Sequence, residues 1–194
     1  MKYIFFDTET NGLPKNWQAS AEDVDNWPRV IQLAWALYDD DGLIEKRVDL
    51  IKPNGWVVPL DPFWIEHGFS TEKNMAEGIP MEEALSDFVA VRLTVDFSIA
   101  HNIAFDSKIL RAEMIRLGMI YEFSSKKICT MTSSTTFCKL PNPNGRKGYK
   151  WPKLIELYDV LFKEEMVDAH DAMGDVTALA KCFFALKEKG IIQC

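Results

Sequence analysis

The chain has 194 residues, 47% apolar and 26% charged, with a formal net charge of −7. That length and balance suit one soluble domain, residues 1–194, with a sizeable core. No apolar run approaches the roughly 20 residues that span a membrane, and the acidic balance disfavours a nucleic-acid partner unless the acids serve a metal and the basic residues cluster.

Lys2–Phe6 is a short apolar, aromatic run and predicts a buried strand. An acid follows at once, so the segment is not a signal peptide. Val30–Asp39 predicts a second strand, Asp39-Asp40-Asp41-Gly42 a tight turn, and Leu43–Lys52 a third strand pairing back. The first three strands therefore form an antiparallel meander. Pro59 to Gly78 reads as loops and short helices. Met81, Ala84, Leu85, Phe88, Val89 and Leu93 recur at helical spacing over Pro80–Leu93. Thr94–Ala100 predicts a buried strand. Ile103–Leu117 predicts a helix closed by Gly118. Further helices are expected over Ile128–Phe137, Pro152–Leu161 and Ala169–Lys189, with a Pro- and Gly-containing loop over Lys139–Trp151. This order is an α/β layout, a mixed sheet covered by helices.

Cys129, Cys138, Cys182 and Cys194 form no C-x-x-C pair and no Cys/His cluster. They read as free thiols of a reducing, cytoplasmic compartment.

Three acidic elements stand out. Asp7 and Glu9 close the first strand, and residues i and i+2 of an extended chain share a face. Two such carboxylates repel unless a cation lies between them, and a hard divalent ion suits oxygen ligands. Alone, D-x-E also describes a solvated acidic turn. The second element, His101-Asn102-Ile103-Ala104-Phe105-Asp106, leaves a strand and enters a helix. Asn102 suits an N-cap and Asp106 the first turn, and both could be helix-start residues only. The third is His170-Asp171-Ala172-Met173-Gly174-Asp175. On one helix His170 and Asp175 would point about 140° apart, so His170 is expected at or before the helix start; a surface histidine and a solvated acid would also fit.

Taken together, these elements resemble the DEDDh exonuclease family, the DnaQ-like branch of the ribonuclease H-like fold. The first motif stands as Phe5-Phe6-Asp7-Thr8-Glu9-Thr10-Asn11-Gly12-Leu13-Pro14, the second as Ala100 to Asp106, the third as Ala169 to Asp175. Arg29-Val30-Ile31-Gln32-Leu33 and Ile51-Lys52-Pro53 are similar to the family's second strand and third-strand end. His67-Gly68-Phe69-Ser70 resembles its HG turn, with Phe69-Ser70 in place of the usual pair. The resemblance implies a ribonuclease H-like mixed five-stranded sheet flanked by helices and a 3′→5′ exonuclease releasing nucleoside 5′-monophosphates. It implies two divalent cations, Mg²⁺ or Mn²⁺, held by Asp7, Glu9, Asp106 and Asp175, with His170 as general base. It also places Thr8, Thr10, Asn11 and Gly12 around the terminal nucleotide and Leu13 as a wedge against its base. His67 and Phe69 would line a base pocket (core packing would serve Phe69 equally), and Asn102 would position the strand.

Lys139, Arg146, Lys147, Lys150 and Lys153 lie in one stretch without an acid, interleaved with Tyr149 and Trp151. Cations track phosphates and aromatic rings stack on bases, so Arg146, Lys147 and Lys150 are candidate strand contacts. A solvated loop is the plain alternative. The expected partner is a DNA or RNA strand with a 3′ end. A proofreading subunit and an RNA-trimming enzyme fit the same motifs, although little chain follows the third motif to bind a polymerase. A non-catalytic nucleic-acid-binding module and a phosphoesterase for small nucleotides are the readings from other classes.

Overall fold

The apolar run at the N-terminus does not alternate, and the strand it opens is buried on both faces. In the computed structural model, which describes residues 1–143, 145–166 and 171–194, this strand, β1 (Tyr3–Thr10), is the middle of a five-stranded sheet. It pairs antiparallel with β2 (Val30–Asp39), which pairs antiparallel with β3 (Gly42–Leu50). On its other side it runs parallel to β4 (Phe97–Ala100), and β4 parallel to β5 (Lys126–Cys129). The order is β3-β2-β1-β4-β5. The antiparallel meander and the mixed sheet are as expected.

Side-chain parity sorts β1 between two cores. Ile4 and Phe6 enter a cluster with helices α3 (Met81–Arg92) and α4 (Ile103–Arg116). Tyr3 and Phe5 enter a second cluster with α7 (Ala172–Glu188), through Val176, Leu179 and Phe183. All four side chains are fully buried, and each contributes on the order of 1.5–3 kcal/mol through the apolar surface it removes from water. Short helices α1 (Pro62–Glu66) and α2 (Thr71–Glu77) occupy the stretch expected to hold loops and short helices. Helices α5 (Thr130–Cys138) and α6 (Leu154–Phe162) precede α7. Among the described residues, no helix is long and apolar enough to cross a membrane. All four cysteines are free thiols.

Three boundaries differ from expectation for physical reasons. The fifth strand covers Lys126–Cys129, where Ile128 and Cys129 were assigned to a helix. It has four residues, two of them exposed lysines, the usual disguise of an edge strand. The fourth strand starts at Phe97 rather than Thr94, because Thr94 still bonds back to Val91 and the amides of Asp96 and Phe97 bond to the Lys2 carbonyl. The last helix starts at Ala172, with Asp171 as its cap.

Helix α4 is locked to the sheet by a buried acid. Glu113, 1% exposed, accepts from Arg29 Nε at 2.8 Å and from the Val30 amide at 3.3 Å. It also lies 3.0 Å from a guanidinium nitrogen of Arg116, whose other nitrogen donates to the Trp27 carbonyl at 2.7 Å. Removing one partner of such a network leaves buried charge uncompensated, which costs about 3–5 kcal/mol. Glu113→Ala should lose stability of that order in urea unfolding. A loss below about 1 kcal/mol would show that the network does not hold α4.

Candidate metal centre

The sheet's central strand carries the acids. Asp7 and Glu9 share the parity of Tyr3 and Phe5, so they face α7, whose first turn carries Asp175. Oxygens of Asp7, Glu9 and Asp175 lie within 4.8 Å of one another. Thr8 has the opposite parity and faces α4. Its hydroxyl, nearly buried, donates to Asp106 Oδ1 at 2.8 Å. Asp106 is 2% exposed and sits in the first turn of α4. The fourth acid thus approaches from the other layer, held by a threonine rather than standing in the close trio.

Crowding and burial raise these carboxyls together. Burial pushes Asp7 well above the usual carboxylate range, and the charges of Asp106, Asp175, Glu9 and Asp171 push further. Glu9 rises from 4.5 to about 7, from burial and then Asp175 and Asp106. Asp106 rises from 3.8 to about 7 through burial, against the lowering effect of the Thr8 hydroxyl. An all-carboxylate set this crowded fits a hard divalent cation among its oxygens. Asp7, Glu9 and Asp175 could hold one, and Asp106 stands beside them.

Each element is fixed by a bond of its own. The β1–β2 register slips between Glu9 and Thr10, so Glu9 lies opposite Gln32 and Thr10 opposite Val30; such bulges often sit beside sites. Gln32 Oε1 accepts from the Ala172 amide at 3.0 Å, tying the start of α7 to the strand residue facing Glu9. Asp171 caps the helix by accepting from the Gly174 amide at 3.1 Å. Neither role was read from the sequence. An Asp three residues before Gly174 at the start of an apolar-periodic run is a capping signal that could have shown it, whereas nothing local marks Gln32. His101 joins the end of β4 to two later segments: Nδ1 meets Thr130 Oγ1 and Nε2 meets the Pro152 carbonyl, both at 2.9 Å. A carbonyl only accepts, so Nε2 carries the proton. Burial holds the His101 pKa below its usual value, partly offset by the Pro152 bond.

Several expected contacts are engaged inside the protein. Asn11 accepts from the Arg29 amide at 2.8 Å and donates to the Val57 carbonyl at 3.2 Å. The Thr10 hydroxyl donates to the Gly12 carbonyl at 2.8 Å. Leu13, by contrast, is 72% exposed. Trp64 Nε1 donates to the Thr10 carbonyl at 3.0 Å, bringing α1 to the end of β1. His67 follows α1 and packs on Phe63 with ring centres 4.5 Å apart. Phe69 is 4% exposed and packs with Ile31 and Val58, so core packing, not a pocket wall, is the role its position allows. Asn102 stands at the cap position of α4, but with φ 73° and no side-chain bond to the helix. Asn tolerates this left-handed turn, which redirects the chain from β4 into α4. Arg146 and Lys147 are exposed. Lys150 forms an ion pair with Glu156 of α6, so the stretch without an acid in sequence has one in space. His170 lies outside the described residues.

The site is thus an acid cluster at the carboxyl end of the central strand of a ribonuclease H-like α/β fold. The sequence profile of the exonuclease family, of ribonuclease T type, matches residues 4–183, and the chain belongs to that family, in its DEDDh, DnaQ-like branch. No curated protein sequence matches it. Among solved structures it is similar to E. coli exonuclease I in complex with a dT13 oligonucleotide, at TM-score 0.74 and 18% identity over 96% of this chain and 41% of that one. The zinc-bound form of the E. coli exonuclease I–single-stranded DNA complex gives 0.73 and 18% over 97% and 41%. A product-bound exonuclease I gives 0.70 and 16% over 98% and 44%. The chain therefore spans about two-fifths of the length of these structures, and at such identities the likeness establishes the fold.

The raised carboxyls have a consequence for stability. With Glu9 and Asp106 titrating near 7 when folded and near 4 when unfolded, the folded chain holds extra protons between those values. Its metal-free stability therefore falls as pH rises through that window. In chelator, the melting temperature should be lower at pH 8 than at pH 5, and Mg²⁺ or Mn²⁺ should restore it at pH 8. Asp7→Asn should melt higher than the parent in chelator at pH 8, by on the order of 2–4 °C, and lose the response to metal. Melting that is flat from pH 5 to 8 and blind to metal would contradict the carboxylate crowding.

Proposed function

We propose that this protein is a metal-dependent 3′→5′ exonuclease that hydrolyses the terminal phosphodiester bond of single-stranded or frayed DNA or RNA and releases nucleoside 5′-monophosphates. The observation that carries the reading is the convergence of Asp7, Glu9 and Asp175 within 4.8 Å, with Asp106 held alongside by Thr8. Membership of the exonuclease family supports the reaction class. Similarity to exonuclease I bound to dT13 supports a single-stranded substrate.

Two divalent cations, Mg²⁺ or Mn²⁺, held by Asp7, Glu9, Asp106 and Asp175, would acidify the attacking water and offset charge on the leaving 3′-oxygen. The chain's own residues do the rest. His170, adjacent in sequence to the Asp171 cap, takes the proton of the attacking water; its unperturbed pKa of about 6.5 suits a base near neutrality. Thr8 keeps the Asp106 carboxylate oriented, and Gln32 keeps the first turn of α7 against β1. Exposed Leu13 meets the terminal base, and His67 and Asn102 flank the strand.

Degradation of 5′-labelled single-stranded DNA and RNA tests this directly. Mg²⁺ or Mn²⁺ should give a ladder shortening from the 3′ end, absent in chelator and reduced at least 10³-fold in Asp7→Ala, on the order of the ~4 kcal/mol that a metal ligand supplies to the transition state. Intact strands with folded, metal-loaded protein would refute the reading, and cleavage of mononucleotide esters alone would replace it with a small-nucleotide phosphoesterase.

The basic stretch makes a separate contribution. In an Asp7→Ala background, Arg146→Gln with Lys147→Gln should weaken single-strand binding and reduce the slope of log affinity against log salt by roughly 1.4, about 0.7 per lost phosphate contact. Lys150→Gln should do less, because Glu156 already compensates that charge. Equal slopes in parent and double variant would assign Arg146 and Lys147 to a solvated loop.

A further inference from the structure

Away from the acid cluster, on the α3/α4 side of the sheet, a cavity of about 440 Å³ opens between α4 and the segment leading into β5. Its walls carry Arg92, Lys108, Arg111 and Lys127 against a single carboxylate, Glu122. In a chain of net charge −7 such a concentration of cations is a local reversal of sign.

Arg92 is the unusual member. It is 4% exposed, yet among the described residues no carboxylate pairs with it. Its Nε donates to Ser98 Oγ at 3.2 Å, and its guanidinium lies over the Phe123 ring, 3.9 Å from the centroid, with Phe6 and Phe88 beyond. Buried arginines normally have an anionic partner, because desolvation without one is costly. Burial indeed lowers its pKa to about 10, which leaves it charged at neutral pH. Lys127, beside it, is pushed below its usual value by burial and by Arg92, so the two cations repel, and neither has an ion-pair partner among the described residues. Ser107 also lines the cavity, its hydroxyl buried behind the wall and without a hydrogen-bond partner among the described residues.

We propose that this cavity is a phosphate-binding site separate from the catalytic acids. The phosphate accepts from Arg92 and Lys127, with Arg111 at the mouth, where it already reaches the Tyr121 carbonyl at 3.2 Å. Lys108 is partly engaged by the carbonyls of Trp17 and Ala19 and supplies longer-range charge. The volume and the Phe123 wall suit a phosphate attached to an aromatic base, within the usual range of small-molecule pockets. That phosphate belongs either to a free nucleoside monophosphate or to an internal position of a bound strand. The site is distinct in space: Lys127 pairs with Ser98, which pairs with Ile4, three residues and about 10 Å along the strand from Asp7.

Binding in chelator tests the proposal without turnover. Under those conditions the acid cluster repels anions, so any phosphate bound must sit elsewhere. Inorganic phosphate, a nucleoside 5′-monophosphate and a short 5′-labelled oligonucleotide are titrated by calorimetry and anisotropy into the parent and into Arg111→Gln/Lys127→Gln. Arg111 is half-buried and Lys127 exposed, and circular dichroism and melting report whether the fold is kept; Arg92→Lys is the second variant, retaining charge but not the planar fork. Mononucleotide affinity at least tenfold lower in the double variant, with weaker binding in Arg92→Lys, is the expected result and identifies a free nucleotide as the ligand. The same loss for the oligonucleotide alone supports the site with an internal strand phosphate. Equal affinities of parent and folded variants for all three probes, or no binding by the parent at millimolar concentration, overturns it. Because neither metal nor cleavage enters the measurement, failure here leaves the exonuclease reading standing, and loss of cleavage leaves this site standing.

Discussion

Mutual repulsion of carboxylates at the end of β1 is the constraint around which the rest is arranged. Asp7, Glu9 and Asp175 are brought within 4.8 Å in partly buried surroundings, and Asp106 adds its charge from the other side of the strand. Left to themselves these groups would move apart or take up protons. They stay because the elements that carry them are clamped elsewhere. Thr8 holds Asp106, Gln32 holds the first turn of α7, and the Glu113 network holds the last turn of α4 to the start of β2. The stability for this comes from aromatic burial on both faces of β1, in the residues just before the acids. A divalent cation among these oxygens would relieve that strain.

Strand parity explains why one central strand can serve both layers. Odd residues of β1 face α7 and even residues face α4, so Asp7 and Glu9 meet Asp175 directly, whereas Thr8 meets Asp106. The threonine between the two acids is therefore not a spacer. Its hydroxyl is what lets a carboxylate from the opposite layer approach without a direct bond to the trio. Replacing it with an aliphatic residue of similar shape would keep the packing and leave the buried Asp106 oxygen without its donor.

Much of this was legible in the sequence because it depends on periodicity. The period-2 placement of Asp7 and Glu9, the meander closed at Gly42 and the helix following Asn102 all follow from local pattern. The misses share one cause, which is that they depend on partners distant in sequence. Nothing around Gln32 marks it as the acceptor for Ala172, and nothing around Glu113 marks it as the anchor of Arg29. Lys150 looked unpaired until α6 brought Glu156 to it. Asn102 looked like a side-chain cap, yet its backbone, at φ 73°, performs the turn instead. β5 was hidden because a four-residue edge strand that opens on two lysines shows no pattern of its own, and its last two residues read as the start of the following helix; Phe69 could not be divided between pocket and core until Ile31 and Val58 were seen against it.

The acidic balance of the chain disfavours a nucleic-acid partner only if charge is spread evenly, and in the structure it is not. Field at a site depends on charges within about a Debye length, roughly 8–10 Å, and on whether they are shielded from water. Acids are gathered at the end of β1, where they suit cations rather than phosphates. Cations are gathered in two other places, the exposed pair Arg146 and Lys147 and the cavity around Arg92. A phosphate approaching the protein therefore meets attraction at these two places and, at the acids, repulsion that only bound cations remove. On the proposed reading, that separation would hold a strand before the acids act on it, and positioning and cleavage would be separately controllable on one fold.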